Sequence, residues 1–254
     1  MKHIQKSEEP IKLQEYRRAN PDGKWENFRN ECQSGLNEVY KTLSGDQGGL
    51  CVYCEIKVTA LNRQVEHFHD KTIDADLLHP VNPHLDWNNM WYCCRGGTNE
   101  SSDKTEYLEP IKENLSCGQH KKTETSDYQN MISPQEIPAF PRIFRYEYEA
   151  NGISIHADET LCSIAKIDKE KVERTITILN LNCKRLCVAR YAVLKAINKT
   201  LNEKHPNSDQ FKKLVTRFIG NKYENRLWNP FFTMIRWRFK NIAEEYLYEI
   251  QFDS

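Results

Sequence analysis

The cysteines and histidines of this chain are concentrated in one segment, and this concentration constrains the fold more than any other feature. Five of the nine cysteines lie between Cys51 and Cys117, and five of the eight histidines (positions 67, 69, 79, 84 and 120) lie in nearly the same window. The N-terminus MKHIQKSEEP lacks the apolar core of a signal peptide, so we expect a cytoplasmic location. Cysteines that cluster in a reducing compartment more often bind a metal than form disulfides.

The pair Cys51-x-x-Cys54 has the spacing of a zinc knuckle, in which a tight turn lets two thiolates reach one tetrahedral ion. A strand-like sequence, IKVTA, follows the pair, whereas a redox CxxC usually opens a helix. The remaining two ligands must come from farther along the chain, and Cys93 is the alternative to Cys94. We predict a structural zinc ion held by four residues: Cys51, Cys54, Cys94 and Cys117. The competing interpretation is that the downstream cysteines are ordinary buried thiols.

The first half of the chain reads as helical and then irregular. Apolar residues at steps of three and four predict an amphipathic helix over residues 25–43, and SGDQGG (44–49) is a helix breaker. We predict a short strand around Glu66-His67 and one or two helical turns in LDWNNMWYCC (85–94).

The second half combines a hairpin with helices. Alternating apolar residues on either side of Asn151-Gly152 predict a β-hairpin over 142–157. From Asp168, a predicted N-cap, the pattern is helical, with further helices over 209–219 and 231–250. The fold class is therefore α+β, and we divide the chain into an N-terminal helical segment (1–47), a central unit (48–125) and a C-terminal region (126–254).

Charge and hydropathy limit the classes of partner that we expect for this chain. The net charge is zero, but residues 161–254 carry 18 lysines and arginines against 10 aspartates and glutamates, a balance of +8. Such a region could face nucleic acid or could be a solvated helical surface. No run approaches the ~18 apolar residues of a membrane span, so we expect no membrane partner.

The order of motifs in the central unit resembles that of HNH endonucleases. A cysteine pair, VEHFHDK (65–71), LDWNNM (85–90) and CGQHK (117–121) follow one another as in that family. The segment TILNLN also resembles the HNH nucleases of bacterial anti-phage systems, the Septu type found attached to retrons. The resemblance implies a zinc-pinned ββα-metal core, one catalytic divalent ion (Mg²⁺ or Mn²⁺) and hydrolysis of phosphodiester bonds.

The resemblance also implies residue roles. His67 would be the general base, since a histidine titrates near neutral pH, and Glu66 would hold the hard divalent ion through oxygen. Asn89 would brace the loop that carries His67, and Lys121 would contact a phosphate. The family's third metal position falls on Gly118, which has no ligand atom, so His120 is the predicted substitute and Asn99 the weaker one.

Two functions follow as expectations. In the first, the protein is a nuclease that cleaves DNA, or else RNA or tRNA, in antiviral defence beside a separately encoded ATPase of the ABC/SMC type; a retron reverse transcriptase and its RNA–DNA hybrid could join the complex. In the second, motivated by Gly118, it is a zinc-stabilised adaptor that binds the ATPase and nucleic acid without cutting. No G-x-x-x-x-G-K-[ST] loop is present, so we expect no ATP site in this chain.

Overall fold

The computed structural model describes residues 1–71, 81–98, 112–121, 130–150, 152–221 and 227–252. Its helices in chain order are α1 (Ile11–Ala19), α2 (Trp25–Glu31), α3 (Gln33–Gln47), α4 (Cys117–Lys121), α5 (Glu159–Ala165), α6 (Lys169–Ile178), α7 (Lys184–Lys204), α8 (Ser208–Ile219) and α9 (Phe232–Glu249). Its strands are β1 (Arg63–His67), β2 (Met90–Cys94), β3 (Phe144–Glu149), β4 (Gly152–Ala157), β5 (Gly220–Asn221) and β6 (Leu227–Trp228). The strands pair consecutively into three antiparallel two-stranded sheets, which agrees with an α+β class.

The N-terminal helices form a layer beside the central unit. The sequence predicted one helix over 25–43, but the chain breaks at Cys32 (φ −120°, ψ 68°), which separates α2 from α3. Gly35, in the first turn of α3, lies so close to Phe28 that a Cβ atom there would be 2.9 Å from its ring. The break therefore lets α2 fold back onto α3, and the single-helix prediction was wrong.

Helix α3 runs four residues into the predicted breaker and ends at Gln47; its C-cap, Gly48, adopts a left-handed conformation (φ 62°, ψ 36°). Its last residue, Gln47, is buried, and its side-chain amide hydrogen-bonds to the backbone of β2 as a neighbouring strand would. The Gln47 side chain accepts from Tyr92 N at 2.7 Å and donates to Tyr92 O at 2.7 Å. This amide fixes α3 against the strand that carries Cys93 and Cys94.

Strands β1 and β2 pair with Glu66 opposite Trp91 and His67 opposite Met90. The predicted strand around Glu66-His67 is confirmed. The predicted helical turns in 85–94 are only partly right, because a 3₁₀ turn (Trp87–Asn89) leads into β2. Every residue of β2 is buried, and a fully apolar strand lacks the alternation that would have revealed it.

The C-terminal region agrees well with the sequence. The predicted hairpin is confirmed as β3 and β4, with Asn151 itself outside the described residues. The Asp168 side chain caps α6 by accepting from Glu170 N, as predicted. Helix α5 was not predicted, and α9 contains a kink at Lys240 (φ 49°, ψ −129°).

Two hydrophobic clusters hold the fold together. The larger contains buried residues of α1–α3, the cysteine turn, β2, the β3–β4 hairpin, α6 and α7, and Val65 of β1 packs against it. The smaller joins residues of α8 and α9 with Trp228 and Phe252. None of the helices in the described ranges is long and apolar enough to cross a membrane.

Candidate zinc and nuclease site

Four cysteine sulfurs converge beneath β1 and β2. Cys51 and Cys54 lie in a tight turn, where Cys51 N donates to Ile56 O at 2.9 Å. Cys94 ends β2 and Cys117 begins α4. The four Sγ atoms lie within 4.8 Å of one another, and all four residues are buried. The structure thus brings together the four cysteines predicted as the zinc site.

The spacing of these sulfurs fits a tetrahedral zinc ion. The Sγ–Sγ distances are 3.8 Å for Cys51–Cys117, 3.7 Å for Cys54–Cys94 and 3.9 Å for Cys94–Cys117. A tetrahedron with Zn–S bonds of ~2.3 Å has edges of about 3.8 Å. Burial raises the pKa of the Cys54 and Cys117 thiols well above its ordinary value, so a bound cation is what would stabilise their thiolates.

A buried arginine supplies positive charge next to this cluster. Arg185 is 7% exposed and donates to Ser116 Oγ at 2.6 Å, and no carboxylate pairs with it in the described part of the chain. Burial lowers its pKa, but negative charge on Cys183, Cys54 and neighbouring thiols raises it above its ordinary value. Four thiolates around Zn²⁺ carry a net charge of −2, which a buried guanidinium partly offsets. Arg185 therefore fits a charged metal–thiolate centre better than a neutral thiol core.

Cys93 is a fifth cysteine in the same place. It is fully buried, and its Sγ lies 3.7 Å from that of Cys51. It does not belong to the mutually close set of four sulfurs. The choice between Cys93 and Cys94 that the sequence left open therefore falls on Cys94.

Glu66 lies between the sulfur cluster and a surface cleft. Its Oε1 lies 2.5 Å from Lys121 Nζ, and both side chains are only 6% exposed. A Cβ atom on Gly118 would be 2.1 Å from Glu66 Oε2, so the carboxylate occupies the space of a side chain at position 118. Gly118, which departs from the family pattern, therefore leaves the space that this carboxylate occupies.

The Lys121 side chain is buried and bonds to other groups of the protein. Besides Glu66, its ammonium donates to His67 O at 2.7 Å and to Phe68 O at 3.1 Å. It therefore clamps the end of β1 as well as the carboxylate. The predicted phosphate contact at Lys121 stays a prediction, but these bonds give the residue a positioning role.

His67 points to the other wall of the cleft, where it meets α2. The Trp25 ring packs edge-on against the imidazole at a centroid distance of 5.5 Å. His67 Nε2 lies 3.2 Å from His84 O. A carbonyl only accepts, so Nε2 carries the proton and Nδ1 keeps the lone pair. Burial lowers the pKa of His67 to about 3, which leaves the ring neutral at physiological pH but contradicts the expectation from sequence that this histidine titrates near neutrality.

Asn89 braces the chain immediately after His67. Its Oδ1 accepts from His69 N at 2.6 Å, and its Nδ2 donates to His69 O and Pro83 O, each at 3.1 Å. Asn89 O also accepts from Phe68 N at 2.9 Å. The side chain thus fixes the loop that follows His67, and its role in a nuclease site stays a prediction.

His120 does not join Glu66. Its Nδ1 bonds to Ile178 O at 2.9 Å, and the residue is not part of the cleft lining. Gly118 and Lys121 lie one turn apart on α4 and share the face toward Glu66, whereas His120 is rotated about 200° from Gly118. Asn99, the weaker substitute, lies outside the described residues.

The cleft itself has a volume of about 490 Å³. Glu66 and His67 line it together with residues of α2, α3 and the β1–β2 sheet, and its charged or titratable members include Glu26, Arg29, Arg63, His69, Asp70, Lys71, Arg95 and Lys121. Glu26 pairs with Lys71 and so joins α2 to the loop after β1. A neutral imidazole, a carboxylate and several cations therefore face one space that can admit a polyanion.

Comparison with known proteins identifies the family of this site. No protein-family model matches the chain. A curated relative from Escherichia coli, named "Retron Ec83 putative HNH endonuclease", is 33% identical over an alignment of 224 residues that covers 81% of this chain and 83% of that protein. The chain belongs to the family of retron HNH endonucleases. The finer resemblance to the Septu type stays a prediction.

Some features of this retron HNH endonuclease were not predicted from sequence. Trp25 and Arg29 of α2 form a wall of the cleft, although the sequence suggested only that the N-terminal helices pack against the central unit. The signal was available in part, because an amphipathic helix with a polar, arginine-bearing face has a side that the core does not need. Nothing in the local sequence of CGQHK indicated that Gly118 accommodates a carboxylate from 52 residues earlier.

Proposed function

We propose that this protein is a metal-dependent endonuclease that hydrolyses phosphodiester bonds of nucleic acid, with DNA as the first substrate to test and RNA or tRNA as alternatives. The observation that carries the proposal is the placement of Glu66 and a neutral His67 in one cleft, with zinc-type cysteines directly beneath. The chain is 33% identical to a retron protein named as a "putative HNH endonuclease", and this similarity supports the same function.

The side chains fit the steps of hydrolysis. His67 would take a proton from water at Nδ1, since its Nε2–H is engaged by His84 O. Asn89 and Lys121 would keep the ring in place by fixing the backbone on both sides of Phe68. Mg²⁺ is commonly held by one or two carboxylates together with substrate phosphates and water, and Glu66 offers such a carboxylate in the cleft. When bound, Mg²⁺ or Mn²⁺ would neutralise charge on the leaving oxygen.

The test is cleavage of fluorescent DNA and RNA substrates with Mg²⁺, with Mn²⁺ and with no added divalent ion. We expect His67→Ala to abolish divalent-dependent cleavage while bound zinc and the unfolding midpoint stay near those of the wild type. His205→Asn is the matched control, because His205 is exposed and adopts a left-handed conformation that asparagine accepts.

Two results would contradict the proposal. Equal cleavage by the wild type and His67→Ala would remove His67 from the base role. Tight binding of nucleic acid by the wild type without cleavage under any metal condition would favour the zinc-stabilised adaptor instead.

The defence setting is a further part of the proposal. We expect the protein to act with a separately encoded ABC/SMC-type ATPase, an expectation that rests on the resemblance to the Septu type. A retron reverse transcriptase and its RNA–DNA hybrid could join the complex, and the retron name of the relative supports the retron setting alone. Co-expression with the products of neighbouring genes, followed by purification through a tag on this chain, tests the partnership. Protection from phage infection that survives deletion of the ATPase gene would refute it.

A further inference from the structure

Three arginines from separate elements meet at the cleft. Arg29 comes from α2, Arg63 begins β1 and Arg95 follows β2, and all three line the same space as Glu66 and His67. Arg29 and Arg95 are exposed, and Arg63 is partly exposed. We call them the arginine wall.

Tyr40 of α3 marks the point where the three arginines converge. The Arg63 guanidinium carbon lies 4.2 Å from the centroid of the Tyr40 ring. Burial raises the pKa of Tyr40, while the positive charges of Arg63, Arg29 and Arg95 act to lower it. Three guanidinium groups are therefore close enough to one phenol to act on its charge.

The arginine wall is not paired with the acidic residues that line the same cleft (Glu26, Glu66 and Asp70) in the described ranges. No ion pair and no side-chain hydrogen bond from Arg29, Arg63 or Arg95 to a protein acceptor is present there. The cleft lysines differ, since Lys71 pairs with Glu26 and Lys121 pairs with Glu66. Like charges held together repel, so this grouping is unfavourable unless an anion joins it.

The chemistry of the anion follows from the side chains. A guanidinium presents a planar fork of donors that matches two phosphate oxygens, and it stays charged at all physiological pH values. Lys121, the lysine that the family pattern would assign to a phosphate, is buried and bonded to Glu66. Among the described lysines and arginines of the cleft lining, those that make no ion pair are the residues of the arginine wall.

We propose that Arg29, Arg63 and Arg95 bind the backbone phosphates that flank the scissile phosphodiester and so position a polynucleotide across Glu66 and His67. This inference rests on the proposed function and adds the residues that hold its substrate. Because Tyr40 orients Arg63 and α2 carries Arg29, the N-terminal helices become part of the substrate site.

The experiment measures binding separately from cleavage. Arg29→Ala, Arg63→Ala and Arg95→Ala are each made in the His67→Ala background and titrated against a fluorescein-labelled DNA or RNA oligonucleotide between 50 and 300 mM salt. Each phosphate contact that is lost should flatten the plot of log K against log salt by about 1. At low salt we expect affinity to fall by roughly three- to tenfold per arginine, in line with the loss of one charge-assisted contact.

Controls keep the result interpretable. Arg18→Ala removes an exposed arginine on α1 outside the cleft and should leave both slope and affinity unchanged. Arg→Lys at each position should keep the salt slope but recover only part of the affinity, because lysine lacks the planar fork. Zinc content and the unfolding midpoint confirm that each variant is folded; if Arg63→Ala is not, Arg29→Ala and Arg95→Ala carry the test.

Three outcomes would overturn the inference. The first is wild-type affinity and slope in the Arg29/Arg95 double variant while the wild type still cleaves; the proposed function would then stand without the arginine wall. The second is that the variants of the arginine wall bind the oligonucleotide no more weakly than Arg18→Ala does. The third is that a low concentration of inorganic phosphate displaces the oligonucleotide completely, which would indicate a site for free phosphate. Failure of the wild type to bind or cleave any oligonucleotide would instead refute the proposed function.

Discussion

Replacing Gly118 with alanine tests the relation between Glu66 and α4 most directly. The new Cβ would lie 2.1 Å from Glu66 Oε2 and 2.6 Å from Cδ, so the carboxylate must move. It cannot move without leaving Lys121, and both side chains are buried. Disrupting a buried ion pair costs about 3–5 kcal/mol, whereas exchanging glycine for alanine in a helix returns up to about 1 kcal/mol. We therefore expect Gly118→Ala to lower the free energy of unfolding by about 2–4 kcal/mol and to impair cleavage.

Urea unfolding of the zinc-loaded protein measures this change. Gly45→Ala is the matched control, because Gly45 lies in α3 and a Cβ there meets nothing within 4 Å; its stability should be unchanged or up to about 1 kcal/mol higher. A double-mutant cycle with Glu66→Ala isolates the contact, since Gly118→Ala should cost little once the carboxylate is absent. The reasoning is refuted if Gly118→Ala is as stable as the wild type, or if its cost is the same with and without the Glu66 side chain.

Three further changes have defined outcomes. Cys94→Ser should lose the bound zinc whereas Cys93→Ser should keep it, as measured by metal analysis of the purified proteins; equal retention would contradict the assignment. Asn89→Ala removes three side-chain hydrogen bonds and should lower the unfolding free energy by about 3 kcal/mol in a urea titration, at about 1 kcal/mol each. His67 has a pKa of about 3 in the folded protein and ~6.5 when unfolded, so the unfolded chain binds more protons between these values and stability should fall by about 1.4 kcal/mol per pH unit as the pH decreases below 6.5. Urea titrations of the wild type and His67→Asn at pH 7 and pH 5 should show this extra loss in the wild type alone.

The metal centre and its immediate surroundings were largely readable from sequence. The CxxC spacing, the later cysteines and the order of Glu66-His67 and Asn89 are local signals whose chemistry admits few arrangements. The β3–β4 hairpin was predictable for the same reason, because alternation and an Asn-Gly turn both act over a few residues.

What could not be predicted depends on contacts between distant parts of the chain. Position 118 looked like a defect because a ligand was expected there, and only the folded structure shows that a carboxylate from β1 occupies that volume. The break at Cys32 likewise has no proline or strong local signal; it follows from the packing of α2 back onto α3. The contribution of α2 to the cleft depends on that break. Because the break could not be predicted from sequence, neither could this contribution.

The five residues of α4 connect the cysteine cluster to the cleft. Cys117 begins this helix and Lys121 ends it, so one short segment touches both the sulfur cluster and the carboxylate that faces the cleft. Removal of a zinc ion held by these cysteines would free Cys117, release the Lys121 ammonium four residues later and leave Glu66 without its partner. If the protein cleaves nucleic acid as proposed, the specific activity of a preparation should then scale with the fraction of molecules that contain zinc, whatever the concentration of added divalent ion.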